Sequence, residues 1–180
     1  STIGGGASNN IGNSASHCAI GGGQQNSVGG RSYEYRGAIA GGKDNSIAAD
    51  SPTSAIGGGA SNTIQTSHST IGGGEQNSVG DRSYRGTIAG GKENSIAAQS
   101  PDSTIGGGRE NNCNSYGSVV AGGIENSIGD DAFSSVIAGG TDNAVHNNSI
   151  FSTIDGGKWN TAGDVSGGAP APTITGGVGN

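Results

Sequence analysis

The feature that most constrains this chain is a short repeat that runs through nearly all of its 180 residues. Each repeat reads Ser/Thr-x-Ile-x-Gly-Gly-x-x-Asn-x-Ile/Val and is followed by a polar loop. Successive repeats begin 15 to 20 residues apart. Because a disordered chain would not keep such a register, the pattern predicts a folded repeat architecture. The first apolar residues of the repeats are Ile3, Ile20, Ile39, Ile56, Ile71, Ile88, Ile105, Val120, Ile137, Ile154 and Ile174.

Each repeat is too short for a helical unit, and its side chains alternate as they do in β-strands. Residues 69–72 and 77–79 show two such segments, joined by a Gly-Gly pair. Alternation with β-branched residues is typical of strands, and glycine allows the positive φ of a sharp corner. The predicted fold is therefore all-β. It is a parallel β-roll or β-solenoid of about ten coils of 15–20 residues, stacked at about 4.8 Å.

Composition excludes most other classes of protein. The chain has no Leu or Met and 39 Gly, which excludes a helix bundle. Its Gly residues are clustered and it has only 4 Pro, which excludes collagen. A net charge of −6, with 8 scattered basic residues, argues against nucleic acid as a partner. No apolar run is long enough to insert into a membrane within this segment.

The repeat divides the chain into two parts. Residues 1–163 are predicted to form the repeat array, and residues 164–180 a degenerate Pro/Gly-rich segment with the start of a further repeat. Two inward apolar residues per coil bury little surface for the chain that must be ordered. We therefore expect further apolar surface to be buried between copies of the chain. The candidate contact residues are Ala40, Ala89, Ala121 and Ala138.

An asparagine follows the first apolar residue of each repeat by six positions. A side-chain amide both donates and accepts hydrogen bonds, so stacked asparagines can pass a bond from coil to coil. Aspartate could not do so without repulsion. We predict a structural ladder formed by Asn9, Asn26, Asn45, Asn62, Asn77, Asn94, Asn111, Asn126, Asn143 and Asn160.

Two groups of residues are candidates for binding a partner. Tyr and Arg are enriched at binding hot spots, and they recur in two loops three coils apart. Trp159 stands just before a ladder asparagine, where it could instead cap the array. The loop residues could also simply cover exposed coil edges. The candidate loop residues are Arg31, Tyr33, Tyr35, Arg36, Arg82, Tyr84 and Arg85.

A row of acidic residues is the candidate metal site. Glu93, Glu110, Glu125 and Asp142 precede ladder asparagines in four consecutive repeats. Stacked carboxylates could hold a hard cation such as calcium through their oxygens. Neighbouring basic residues could neutralise them instead, leaving a solvated charged stripe. We expect no other cofactor.

No catalytic constellation is recognisable, and we predict that the chain is not an enzyme. The three histidines lie in loops, and the Gly-Gly-Gly clusters lack the Lys-Ser/Thr of a phosphate loop. A carbohydrate-active β-solenoid enzyme is the alternative. It would need two acids converging in a cleft, whereas the acids here follow the repeat.

The segments STIGGGEQNSVGDRSYRGTIAGGKENSI and SVVAGGIENSIGDDAFSSVIAGGTDN resemble the head repeats of trimeric autotransporter adhesins (YadA-like heads). Similar repeats occur in viral and phage fibres, so a viral or phage fibre protein is an alternative. The resemblance implies a left-handed β-roll, a trimer, and a place outside the cell, on a cell surface or on a virion. It also implies a structural or adhesive role, with a host matrix protein, receptor or glycan as partner. The chain departs from those heads in having Ile or Val, not Ala, two residues after the asparagine.

Overall fold

The computed structural model describes residues 1–13, 15–30, 36–163 and 171–180, and over these ranges the chain is an all-β parallel solenoid without helix. Each coil contributes one two-residue strand to each of two sheets. The predicted fold class is confirmed, and its physical basis is the inward–outward alternation in the repeat.

The strands of the first sheet follow the Ser/Thr-x-Ile part of each repeat. In the described part of the chain they are β1 (Thr2–Ile3), β3 (Ala19–Ile20), β5 (Ala38–Ile39), β7 (Ala55–Ile56), β9 (Thr70–Ile71), β11 (Thr87–Ile88), β13 (Thr104–Ile105), β15 (Val119–Val120), β17 (Val136–Ile137), β19 (Thr153–Ile154) and β21 (Thr173–Ile174).

The strands of the second sheet begin directly after the ladder asparagines. Within the same described ranges they are β2 (Asn10–Ile11), β4 (Ser27–Val28), β6 (Ser46–Ile47), β8 (Thr63–Ile64), β10 (Ser78–Val79), β12 (Ser95–Ile96), β14 (Asn112–Cys113), β16 (Ser127–Ile128), β18 (Ala144–Val145) and β20 (Thr161–Ala162).

Equivalent residues pair from coil to coil without a slip in register. Ile88 of β11 pairs with Ile71 of β9 on one side and with Ile105 of β13 on the other. Repeats of 15 and of 17 residues therefore stack equally well, because the difference in length falls in the loops between the second sheet and the next coil. The predicted boundary region is only partly described, since residues 164–170 lie outside those ranges. Beyond it, β21 still pairs with β19.

The Gly-Gly pair forms the corner between the two sheets, as predicted. In the coil of β11, Gly91 has a φ of +92°. A Cβ atom at this residue would also clash with the carbonyl oxygen of Gly108 in the next coil. Glycine is thus required here twice, for the backbone conformation and for the close approach of adjacent coils.

The core consists of two facing rows of apolar side chains. The first row comes from the first sheet and includes Ile71 and Ile88; the second comes from the second sheet and includes Val79, Ile96 and Cys113. All five side chains are fully buried. Burial raises the pKa of the Cys113 thiol, since the thiolate would lose its hydration. This residue therefore acts as a small apolar member of the row.

Truncation of one core residue tests this packing. We expect Ile88→Ala to lower the free energy of unfolding by about 2–5 kcal/mol, because a buried cavity replaces the side chain. The control is Ile124→Ala, at a residue that is 39% exposed, which should change it by no more than about 0.5 kcal/mol. Urea unfolding followed by circular dichroism measures both. Equal losses in the two variants would contradict the assigned core.

Candidate functional site

The asparagines of the repeat form a continuous hydrogen-bonded row inside the solenoid. Asn94 Nδ2 donates to Asn77 Oδ1 at 3.1 Å, and to the carbonyl oxygens of Gly90 at 3.0 Å and Gly108 at 2.9 Å. Asn94 Oδ1 accepts from the side-chain and backbone nitrogens of Asn111, at 3.0 and 3.1 Å. One amide thus ties the glycine corner of its own coil to the coils on either side. The same contacts recur at Asn26, Asn45, Asn62, Asn77, Asn111, Asn126, Asn143 and Asn160.

Substitution of one ladder asparagine by aspartate should weaken the solenoid strongly. Asn94→Asp removes the donor to three acceptors and places a carboxylate among them. We expect a loss of about 3 kcal/mol or more at neutral pH, since unmet buried groups cost about 1–3 kcal/mol each. Burial without donors raises the pKa of the new carboxyl group, so the loss grows as the pH rises through that pKa and is smaller at pH 4.

The matched control is Asn112→Asp, which changes the outward-facing strand residue next to the ladder asparagine of the following coil. Its side chain is half-exposed, so the substitution should have little effect. Urea unfolding at pH 4 and pH 7 measures the difference. A pH-independent loss, equal in the two variants, would show that the ladder does not discriminate amide from acid.

A second polar row, of serines, was not predicted from the sequence. Ser69 Oγ donates to the Ser83 carbonyl oxygen at 3.3 Å and accepts from the Gly86 backbone nitrogen at 3.1 Å. The Ser69 backbone nitrogen donates to Ser54 Oγ at 3.2 Å. The alternation of side chains in the sequence would have allowed this row to be predicted. A residue two positions before an inward isoleucine also points inward. The buried serines of this row are Ser54, Ser69, Ser103, Ser118, Ser135 and Ser152.

The predicted metal residues lie on a charged corner between the two sheets. We define the charged corner by two adjacent positions per coil, of which Lys92 and Glu93 are one pair. The first position forms single parallel bridges from coil to coil, for example between Glu75 and Lys92. The second position is left-handed, with φ values of +56° at Glu93 and +57° at Glu110. The predicted acids therefore do form one stacked row, in which Glu93, Glu110 and Glu125 are exposed and Asp142 is half-buried.

Basic side chains reach most of these acids. Lys92 Nζ lies 3.3 Å from Glu75 and 3.6 Å from Glu93. Arg109 lies 3.4 Å from Glu110 and 3.7 Å from Glu125. In the described part of the chain, no group of three or more His, Cys, Asp or Glu residues converges closely enough to hold a metal ion. In the described residues, these acids thus pair with neighbouring basic side chains.

In the later coils of the charged corner, from Glu125 onward, acidic charges are less completely neutralised by basic side chains. A hydrogen bond between Glu125 and Asp142 raises the pKa of Glu125, and the charge of Asp142 adds to the effect. Asp142 also accepts from Trp159 Nε1 at 3.1 Å. Lys158 Nζ lies 4.0 Å from the centre of the Trp159 ring. The indole is thus held at two points while 55% of the residue remains exposed.

Removing the charge of Glu125 should stabilise the protein at neutral pH. A pKa raised on folding means that the native state binds the proton more tightly, so stability falls as the pH rises through the raised pKa. We expect Glu125→Gln to raise Tm at pH 7 and to have little effect at pH 4. The control, Glu110→Gln, loses an ion pair with Arg109 and should not raise Tm. Thermal unfolding at both pH values decides; a higher Tm for both variants at pH 7 would contradict this account.

The predicted loop residues lie on the edge of the coils opposite the charged corner. We call it the loop edge, because it consists of the loops that join the second sheet to the next coil. Arg36, Arg82, Tyr84 and Arg85 are exposed there. Arg85 forms a two-point ion pair with Asp102, at 2.5 and 2.7 Å, which raises the pKa of its guanidinium. Trp159 belongs to the charged corner, so the candidate binding residues form two surfaces. Three further candidates, Arg31, Tyr33 and Tyr35, lie outside the described residues.

The outer side of the first sheet is a third surface, which we call the small-residue face. It consists of the residues on either side of each inward isoleucine or valine. Among them, Ala40, Ala89, Ala121 and Ala138 are exposed, as the expected contact between copies requires. All positions of this face lie in the described ranges, and among them Asp155 is the one charged residue. Near β3 to β9 the face forms a shallow apolar depression of about 400 Å³, lined by Ala19, Ala38, Ala40, Ala55, Thr70 and the adjoining Gly and Ile residues.

Neither a protein-family model nor a curated protein matches this sequence. In the described ranges there is no helix with the length and apolar character needed to cross a membrane. The candidate sites of this chain are therefore its three surfaces: the charged corner, the loop edge and the small-residue face.

Proposed function

We propose that this chain is a non-enzymatic structural and adhesive segment of an extracellular or surface fibre, on a cell or a virion. The observation that carries the proposal is that inward-facing and outward-facing positions of each coil differ in how much their residues vary. Fixed residues fill the interior and the corners, while the outward-facing positions vary. A rod of this kind can present binding residues at many places without changing its spine.

The small-residue face supports association of the segment with further copies of itself. The exposed or half-exposed Ala, Thr and Val side chains of this face, together with its Gly residues, allow close approach of a second sheet, and contact would remove apolar surface from water. Self-association would also add to a thin core, which consists of two apolar rows in the described part of the chain. The resemblance to trimeric adhesin heads makes three copies the expected number.

Adhesion is assigned to the loop edge and to Trp159. Exposed Tyr, Trp and Arg side chains are the types that dominate binding energy at protein surfaces. The partner class that follows from the resemblance is a host matrix protein, receptor or glycan. No nucleic-acid partner is proposed, because the net charge is −6.

A charged residue placed on the small-residue face should break the assembly. We expect the wild type to sediment at three times the mass of the 17.3 kDa chain. Ala121→Glu should shift it to the monomer, because a carboxylate would be buried without a partner. The control is Ala97→Glu, at the equivalent position of the second sheet, which should keep the wild-type mass. Analytical ultracentrifugation measures all three, and a stable wild-type monomer would refute the proposed self-association.

A further inference from the structure

A row of apolar side chains follows the loop edge over five successive coils. Tyr84, Tyr116 and Phe133 are the largest, and they are 49%, 48% and 43% exposed. Half-buried residues occupy the same position in the two other coils. We call this row the aromatic strip; it consists of Tyr84, Pro101, Tyr116, Phe133 and Ile150.

Backbone hydrogen bonds fix the register of the aromatic strip. Asp102 N donates to the Tyr84 carbonyl oxygen at 2.9 Å, and Ser134 N donates to that of Tyr116 at 3.0 Å. The intervening coil repeats the contact between Gly117 N and Pro101 O, at 2.9 Å. Each member therefore lies one coil, about 4.8 Å, from the next. The strip is a straight row set by the fold, not a chance cluster of rings.

The aromatic strip continues beside its last members. Phe151 follows Ile150, is 60% exposed and has a φ of +55°. A bulky aromatic residue is unfavourable in this conformation, which equivalent loops fill with residues such as Asp102 and Ser134. An exposed ring kept at a backbone cost, beside a row of exposed rings, is the pattern of a binding surface.

Charge narrows the choice of ligand. Arg85 beside the strip is held by Asp102, and Arg82 lies 3.6 Å from Asp81. The arginines at this end of the strip are thus both paired with carboxylates, and the chain as a whole is negative. An anionic ligand would gain little here. The strip offers exposed aromatic rings and phenol hydroxyls, and carboxylates lie beside it; these groups match the C–H faces and hydroxyl groups of a sugar.

The narrow shape of the aromatic strip also favours a sugar polymer as the ligand. A strip one residue wide offers less than the roughly 1,000 Å² that a specific protein interface needs, so it does not fit a second copy of this chain. It does fit a narrow, extended polymer with one recognition unit per coil. The spacing of the coils is close to the length of one sugar unit in an extended glycan.

We propose that the aromatic strip binds a linear, uncharged polysaccharide laid along the solenoid axis, with sugar rings stacked on Tyr84, Tyr116 and Phe133. This rests on the adhesive part of the proposed function and gives it a ligand class. It does not depend on self-association, which involves a different face.

Affinity electrophoresis in native gels tests the proposal. The gels contain hydroxyethylcellulose, galactomannan or dextran, with heparin as the anionic comparison. We expect at least one uncharged polymer to retard the wild type, and Tyr116→Ser/Phe133→Ser to weaken the apparent affinity about tenfold or more for the loss of both rings. Tyr116→Phe keeps the ring and should keep the affinity. Ile124→Ser, on the charged corner at 39% exposure, is the matched control and should behave as wild type.

Circular dichroism shows whether each variant is folded; if the double variant is not, Tyr84→Ser takes its place, with the same expected direction. The proposal is wrong if no uncharged polymer retards the wild type, if only heparin does, or if folded strip variants are retarded equally. It is also wrong if strip variants change the sedimenting mass, since the strip would then be a contact between copies. Retardation of a wild-type monomer would uphold the ligand and refute the self-association alone.

Discussion

The structure depends on hydrogen bonds that run from coil to coil, because the apolar interior is too thin to define the fold unaided. Backbone pairing aligns the strands, but the asparagine amides hold the glycine corners together. From Asn26 to Asn160, each amide of the row is buried and has partners for both of its polar atoms, so it stabilises only one arrangement of adjacent coils. Replacement by an apolar residue would leave several carbonyl oxygens unsatisfied. The polar row therefore specifies the register that the isoleucines alone would leave loose.

Most of the interior could be predicted from spacing alone. Ile71, Asn77 and Val79 recur at fixed offsets, and side chains that alternate in a strand must alternate between core and surface. The serine row follows the same parity, so it was within reach of the sequence. The sequence does not single out Ser69 as a buried residue, because a serine before a strand is also typical of an ordinary turn.

The surfaces were harder to predict, because their geometry depends on how neighbouring coils align. The acids of the charged corner were expected in one row, yet which cation reaches which acid depends on side-chain direction. Arg109 lies between Glu110 and Glu125, whereas Glu125 also meets Asp142. The loop edge was harder still. Tyr84 and Tyr116 each stand four residues before the inward residue of the next coil, so the sequence shows that their positions are equivalent. That this position forms one exposed row is shown by the stacked backbone.

The asparagine row also gives the rod a direction. In every described link the side-chain nitrogen of the later coil donates to the oxygen of the earlier coil, as Asn94 does to Asn77 and Asn111 does to Asn94. The amide dipoles therefore add along the axis. The strands of successive coils also pair in parallel throughout both sheets. The two ends of the solenoid therefore differ, so fibres assembled end to end from these coils would have a built-in polarity.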